Sequence, residues 1–450
     1  MAEIRPFRAL HYNQGCISAL DKVITQPYDK ISPEMQARYY ELSPYNLVRI
    51  IRGRQAAADA GQESLYTRAQ LDFRDWIEHR ILISESEPAI YPYYQQFQVP
   101  GKPGVTKVRR GFIGLVRLED YAARVVHRHE ETLSGPKADR LELLKTTRAH
   151  FGQIFLLYSD PDGTIETEFE SITRDKPWQD LQDEYATIHS VWRAADPSTV
   201  ERVVEAMRPK KLVIADGHHR YETALAYCDY CRAHGINDER SDYVMATFVR
   251  METDGLTILP THRVVHSLPD FDWQRFIRSA QATFDIEQLP EPEESRSAVV
   301  FQAGLVFQEK LANAGRERPS IGAYAGQGRA VILSLRKDVD LQLLLPDLPL
   351  SVAHLDVVIL HRLLLERVLG IDRQAVREER NLHYLREFDD AMHQVENGDA
   401  QICFLLNPTP IEAVRDNAFA GHVLPQKSTD FYPKLLSGLT IYWLDNPAGI

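Results

Sequence analysis

The chain has 450 residues, 44% apolar and 26% charged, the proportions of a folded protein with a sizeable core rather than a disordered one. A net charge of −12, with Lys and Arg interspersed among Asp and Glu, argues against the clustered basic face that a nucleic-acid partner requires. No stretch approaches the ~18 apolar residues of a membrane helix, the start lacks a leader pattern, and four cysteines are too few for a disulfide scaffold, so a reducing, cytoplasmic location without a membrane partner is expected.

In chain order, Ser32-Pro33-Glu34 reads as a helix start, with an N-cap followed by proline at the first helical position. Leu65, Ala69, Phe73, Trp76 and Ile77 fall at helical spacing within 62–80. Two strand-like runs, 89–99 and 107–118, are joined by the turn residues Pro100-Gly101-Lys102-Pro103-Gly104, which predicts a hairpin. After the polar cluster 127–132, a helix is expected from about Pro136, then a strand over 153–159. Asp196-Pro197 starts a further helix. Strands at 243–250 and 256–265 flank Asp254-Gly255, a hairpin signal. The texture changes near Ser267. An N-terminal α/β region over 1–267 and a C-terminal α/β region over 268–450 are therefore expected. The latter carries an acidic loop at 289–294, a strand at 330–335, a long helix at 352–369, a strand at 401–406 and a polar string at 424–429. Cys228 and Cys231 have redox-pair spacing but lie about three turns into a predicted helix, so buried thiols are expected.

The best-defined unit is the short apolar strand 211–215, broken by Asp216-Gly217 and followed by a helix with Tyr221, Ala224, Leu225 and Cys228 on one stripe. The first N–H groups of a helix lack intrahelical partners and point outward at the positive end of its dipole, so a strand–Gly–helix turn is suited to an anion. Asp216 as an N-cap and Gly217 as a turn residue explain two positions without any ligand. They do not explain His218, His219 and Arg220. Cationic side chains in a first turn oppose the dipole at a cost of ~0.3–1 kcal/mol each when charged, whereas a bound phosphate reverses that sign. Phosphate binding by Gly217, His218, His219 and Arg220 is the expectation.

The string from Ile214 to Leu225, Ile-Ala-Asp-Gly-His-His-Arg-Tyr-Glu-Thr-Ala-Leu, resembles the hallmark of the bacterial family known as domain of unknown function 1015. So do Gln26-Pro27-Tyr28-Asp29-Lys30-Ile31-Ser32, Ser43-Pro44-Tyr45-Asn46, the His129-Glu130 to Arg140 stretch, Leu259-Pro260-Thr261-His262-Arg263 and Pro425-Gln426-Lys427-Ser428-Thr429. Over about 205–235 the Asp-Gly-His-x-Arg core is also similar to a superfamily containing archaeal free serine kinase, sulfiredoxin and the ParB nucleotide-binding domain. That resemblance implies an α/β (α+β) fold with a ParB/sulfiredoxin-like phosphate-binding unit and a nucleotide, ADP or ATP, with Mg²⁺. His218 stands where sulfiredoxin has its reactive cysteine, which removes the nucleophile for sulfinic-acid repair. No helix-turn-helix or basic surface accompanies the ParB likeness.

Phosphoryl transfer to a small hydroxylated metabolite of the serine/phosphoserine kind is the implied function. The alternatives are a phosphatase acting on such an ester and a non-catalytic nucleotide-sensing switch. Glu130, His129 and Asp216 are the acid/base candidates, because in-line transfer needs a group to orient or deprotonate the attacking oxygen. Lys137 and Arg140, one turn apart, are candidate phosphate clamps. His262 and Arg263, adjacent within a strand, and Lys427, in a polar loop, are candidate ligand contacts, and Asp29 a candidate Mg²⁺ ligand. His127-x-His129 has the spacing of a metal pair but reads better as a polar strand end. Substrate identity, direction and oligomeric state are not legible.

Overall fold

The computed structural model describes residues 1–55, 64–130, 135–289 and 298–447. It divides into two compact units. The first comprises 1–128, 132–257 and 433–450, the second 129–131 and 258–432. This differs from a single cut at 267, because the chain returns to the first unit at Pro433. The fold class is the mixed α/β expected.

Among the described residues of the first unit, nine strands form one mixed sheet. They are β1 (Ile4–Arg5), β2 (Tyr91–Gln98), β3 (Thr106–Arg117), β4 (Val126–His127), β5 (Ile154–Tyr158), β6 (Gln179–Gln182), β7 (Ile188–Val191), β8 (Leu212–Asp216) and β9 (Tyr243–Arg250). Their order is β4-β8-β5-β9-β3-β2-β7-β6, with β1 on β3. The predicted hairpin is present, since β2 and β3 pair from Gln98↔Thr106 to Tyr91↔Ile113. The second is not. β9 pairs with β3 and β5 instead of with the strand that follows it. Gly255 is needed for another reason, since a Cβ there would lie 2.6 Å from the Cα of Arg109 on β3.

Helices α1 (Pro33–Leu42) and α4 (Pro197–Met207) start where Ser32-Pro33 and Asp196-Pro197 predict, and α2 (Leu65–Glu78) lies within the helical run expected over 62–80. Ser32, Ser64 and Asp196 each accept from a first-turn backbone N–H. Between α2 and α4 lies α3 (Gly135–Thr147), and α5 (His218–Ala233) follows β8 directly. The core of this unit includes Ile154, Leu156, Leu212, Ile214, Val244 and Phe248, all at most 1% exposed. Cys228 and Cys231 are buried free thiols on α5, as expected. Burial, then the neighbouring Asp242, pushes the Cys228 thiol up to about 12, so it is not a reactive thiolate.

Among the described residues of the second unit, six strands form one sheet: β10 (His262–Val265), β11 (Phe284–Gln288), β12 (Ser320–Tyr324), β13 (Ala330–Leu335), β14 (Leu382–Leu385) and β15 (Ile402–Leu405), in the order β11-β13-β12-β15-β10-β14. The acidic loop expected at 290–294 lies outside the described residues. In place of one helix over 352–369 there is a short turn of helix, Leu350–Ala353, and then a helix from Asp356 that passes without a break at Ile359 into a π-helix over Leu360–Val368. Among the described residues no helix is long and apolar enough to cross a membrane.

Candidate functional site

β8 enters the turn through a bulge. Its register against β5 shifts between Ile214 and Asp216, leaving Ala215 as the extra residue. In a regular strand Asp216 would share a face with Ile214, which is fully buried. The bulge turns the carboxylate away from that face, a common use of bulges beside functional sites. Gly217 follows at φ 92°, a conformation that favours glycine, and α5 begins at His218.

Asp216 is the hub of the turn. Its Oδ2 lies 3.1 Å from Lys434 Nζ and its Oδ1 3.6 Å from the Arg220 guanidinium. Burial raises its pKa, but Lys434, Arg220 and Lys30 outweigh burial and hold it well below the usual carboxylate range. Gly217 N–H donates to Asp216 Oδ1 at 2.7 Å, so that amide is engaged internally and the outward-facing donors begin at His218. Arg220 folds back over the turn. Its Nη1 donates to the Gln153 carbonyl at 2.6 Å. A Cβ on Gly217 would lie 3.1 Å from its Nε, and one on Gly152 3.3 Å from its Nη1. Two glycines therefore make the space in which this guanidinium lies. The first-turn cations that looked anomalous in sequence are partly compensated by Asp216, an acidic group at the dipole's positive end.

The same guanidinium lines a cleft of about 70 Å³, with Arg140, Tyr28, His150, Thr223 and Ser437 as its other polar neighbours and Leu143, Leu144 and Phe151 among its apolar ones. One water needs roughly 10–15 Å³ on this measure, so the cleft has room for a small anionic group. Arg140 stacks over the Tyr28 ring at 4.3 Å and donates to the Ile51 carbonyl at 2.7 Å and to Asp139. The two residues expected as a phosphate clamp have different surroundings. Arg140 and Arg220 share a cleft, while Lys137 pairs with Glu222 on α5.

Lys434 has no local sequence signal, and β2 and β3 position it. Gln95 Nε2 donates to its carbonyl at 2.9 Å, and the fully buried Arg109 donates to Gln95 Oε1 at 3.0 Å and to the Pro433 carbonyl. Behind them, Tyr93 donates to His189 Nδ1 at 2.7 Å, and His189 Nε2 lies 3.2 Å from Asp183. Lys434, Tyr28 and Ser437 are the site residues that sequence reasoning missed. Only Tyr28 lay in a string already singled out.

The remaining candidates belong to the second unit, apart from Asp29 and His127. Glu130 Oε1 accepts from the backbone N–H groups of Ser428 (3.1 Å) and Thr429 (3.2 Å) and from the Thr429 hydroxyl (3.2 Å). His129 Nε2 is 2.8 Å from the same hydroxyl. Arg263 binds the loop's carbonyls, with Nη2 3.3 Å from Gln426 O and 3.0 Å from Lys427 O. Its Nη1 donates to Thr261 O and its Nε to His361 Nε2 at 3.2 Å. Both His262 and Arg263 are buried. His262 Nδ1 accepts from the Leu406 N–H at 3.2 Å, and burial, reinforced by Arg263, lowers its pKa to about 3. Neither face of β10 is open, and the two side chains hold backbone. Lys427 is exposed at the loop tip with φ 56°, a left-handed conformation for a non-glycine residue.

His127 Nε2 lies 3.0 Å from the Arg124 carbonyl, and the side chain is buried, where a solvated strand end was expected. Asp29 is exposed on the short turn Tyr28–Lys30. Among the described residues no group of three or more His, Cys, Asp and Glu side chains comes together, and Asp216 is engaged by two cations. These side chains do not make up a Mg²⁺ site by themselves. A phosphate group does fit the turn: a glycine lies where a Cβ would meet the guanidinium, and the helix N-terminus carries no side-chain cap.

A family model described as "Protein of unknown function (DUF1015)" matches residues 4–358. The chain belongs to the DUF1015 family. No curated protein matches its sequence. Among solved structures, a conserved hypothetical protein from Pyrococcus furiosus is similar at TM-score 0.35 and 12% identity, covering 74% of this chain and 95% of that one. A free serine kinase mutant in complex with ADP is similar at TM-score 0.36 and 12% identity, covering 76% and 98%. SbnI from Staphylococcus aureus, truncated at its C-terminus, is similar at 0.32 and 10%, covering 74% and 90%.

Proposed function

We propose that this DUF1015 protein binds nucleotide phosphates at the Asp216–Arg220 turn and transfers a phosphoryl group to a small hydroxylated metabolite. The observation that carries the reading is the uncapped N-terminus of α5, entered through Gly217 at positive φ and overlaid by Arg220. Backbone N–H groups from His218 onward and the guanidinium would then hold phosphate oxygens. The bound nucleotide supplies the transferable phosphoryl group. Arg140, sharing the cleft with Arg220, adds a second cation for the charge on that group.

Asp216 takes a different part from the proton acceptor expected. A carboxylate held ionised by Lys434 and Arg220 is a poor base at neutral pH, so its role is to orient those two cations. Glu130 stays the proposed acid/base group, with His129 beside it. Mg²⁺ in this reading arrives on the nucleotide phosphates, as it commonly does where protein ligands are few. The serine-like acceptor is the one that the likeness of the Asp-Gly-His-x-Arg core, over about 205–235, to free serine kinase implies.

Phosphorus NMR of the protein with ADP, ATP, Mg²⁺, serine and phosphoserine tests the reading. An acceptor-dependent change in the nucleotide resonances is expected. Arg220→Ala should weaken nucleotide binding at least tenfold, about 1.4 kcal/mol. Glu130→Gln keeps a carbonyl oxygen for the Ser428 and Thr429 donors and should lower turnover more than affinity. Phosphate release from phosphoserine without nucleotide would move the assignment to a phosphatase. Nucleotide binding without turnover of any phosphate compound would leave a sensor.

A further inference from the structure

The second unit holds the larger of the two cavities described, about 160 Å³, and of the strings singled out in sequence only the start of the 424–429 string reaches it. Its apolar walls include Val352, Val358, Ile371 and Val376, the first three at most 3% exposed. The segment Val423–Gln426, leading into the loop held by Glu130 and Arg263, closes one side. Its charged lining consists of Arg362, Arg373 and Arg377, without a carboxylate. Asp347 and Glu366 stand outside the lining and hold two of these arginines. Arg362 donates to Asp347 at 2.9 and 3.1 Å and lies 3.1 Å from Glu366, while Arg373 reaches Asp347 at 3.3 Å.

His361, also in the lining, is fixed in one tautomer. The Arg263 Nε always carries its proton and donates to His361 Nε2, so that nitrogen presents a lone pair. Burial and the Arg263 charge keep the ring neutral, and its proton therefore stays on Nδ1 as a donor. The backbone here is also unusual. His361 and Arg362 lie on the π-helix that replaces the plain helix expected from sequence, its end marked by the Leu369 N–H bonded five residues back to Leu364 O at 2.9 Å. Such segments are rare and frequently occur at functional sites.

We infer that this cavity is a binding site for a small organic anion with an aliphatic body, the body against the valines and Ile371 and the single anionic head met by the arginines and the His361 N–H. An apolar enclosure with a few placed donors is the usual make-up of a small-molecule site. The site stands whether or not the turn at Asp216 binds phosphate.

The test is calorimetric titration of the full chain with octanoate and, as an uncharged counterpart, 1-octanol. One saturable octanoate site, with 1-octanol at least tenfold weaker, is the expected result. Val376→Trp, which fills the cavity, should abolish it. Absence of saturable octanoate binding, equal affinity for the alcohol, or undiminished binding by a folded Val376→Trp protein would overturn the inference. Should that variant fail to fold, the wild-type protein decides. Long-range proton–nitrogen spectra should show the His361 imidazole resonances moving as octanoate is added, and their failure to move rejects the site.

Discussion

The two units spend their buried charges differently. In the first, the Asp216 carboxylate is met by two cations, Lys434 and Arg220, although Arg220 also donates to the Gln153 carbonyl and Arg109 to Gln95 and the Pro433 carbonyl. In the second, Arg263 and Glu130 are spent on backbone, the arginine on carbonyls and the carboxylate on amides of the same 426–429 loop. An ionic cluster can exchange a carboxylate for a phosphate as the partner of its cations at little net cost. Hydrogen bonds from a side chain to a loop's backbone cannot be exchanged without losing the loop's shape. The first arrangement suits a polyanion site, and the second suits the shaping of a surface.

Asp216→Asn tests that contrast with the largest expected effect. It leaves Lys434 and Arg220 partly buried without their counter-ion, at a cost of about 3 kcal/mol, read as a lower urea midpoint for the first unit. Added pyrophosphate should restore part of the loss in the variant, because it replaces the missing charge. A variant as stable as the wild type would mean that the cations do not depend on Asp216.

Acid is the next lever, and its sign follows from the histidines. Burial lowers the pKa of His262 to about 3 in the second unit and of His150 to about 4 in the first. A depressed folded-state pKa gives stability that is fully present above the unfolded value of about 6.5 and is lost as pH falls towards the folded value. By pH 5 His262 alone should cost about 2 kcal/mol. Comparing urea unfolding of wild type and His262→Gln at pH 7 and pH 5 checks this. The pH-dependent loss should shrink by that amount in the variant, and an unchanged loss would place the acid sensitivity elsewhere.

The smallest effect sharpens the picture of the second unit. Lys427 sits at φ 56° with its neighbours' backbone held by Glu130 and Arg263. Lys427→Gly relieves a left-handed conformation worth about 1 kcal/mol, so hydrogen exchange at Ser428 and Thr429 should slow or stay level. Faster exchange would show that the Lys427 side chain, and not the two anchors, orders the loop.

Sequence alone was enough for the local features. The capped helix starts at Ser32 and Asp196, the hairpin over 91–117, the strand–glycine–helix turn at Asp216 and the buried thiols of α5 each depend on residues a few positions apart, whose propensities and spacing act before any packing. What needed tertiary structure were the partners. Lys434 meets Asp216 from a segment that returns to the first unit after the second is complete, and neither residue's neighbourhood foretells the other. Lys137 and Arg140, one turn apart, received unlike roles because Glu222 faces one and Tyr28 the other. The pattern at 352–369 read as one helix, since periodicity counts apolar spacing and does not register the extra residue per turn that makes a π-helix. Asp216 and Glu130 looked alike as acid/base candidates. Burial among cations made the first a permanent anion, while loop amides fixed the second in place beside its proposed acid/base role, and both outcomes depend on groups that only the folded chain brings within reach.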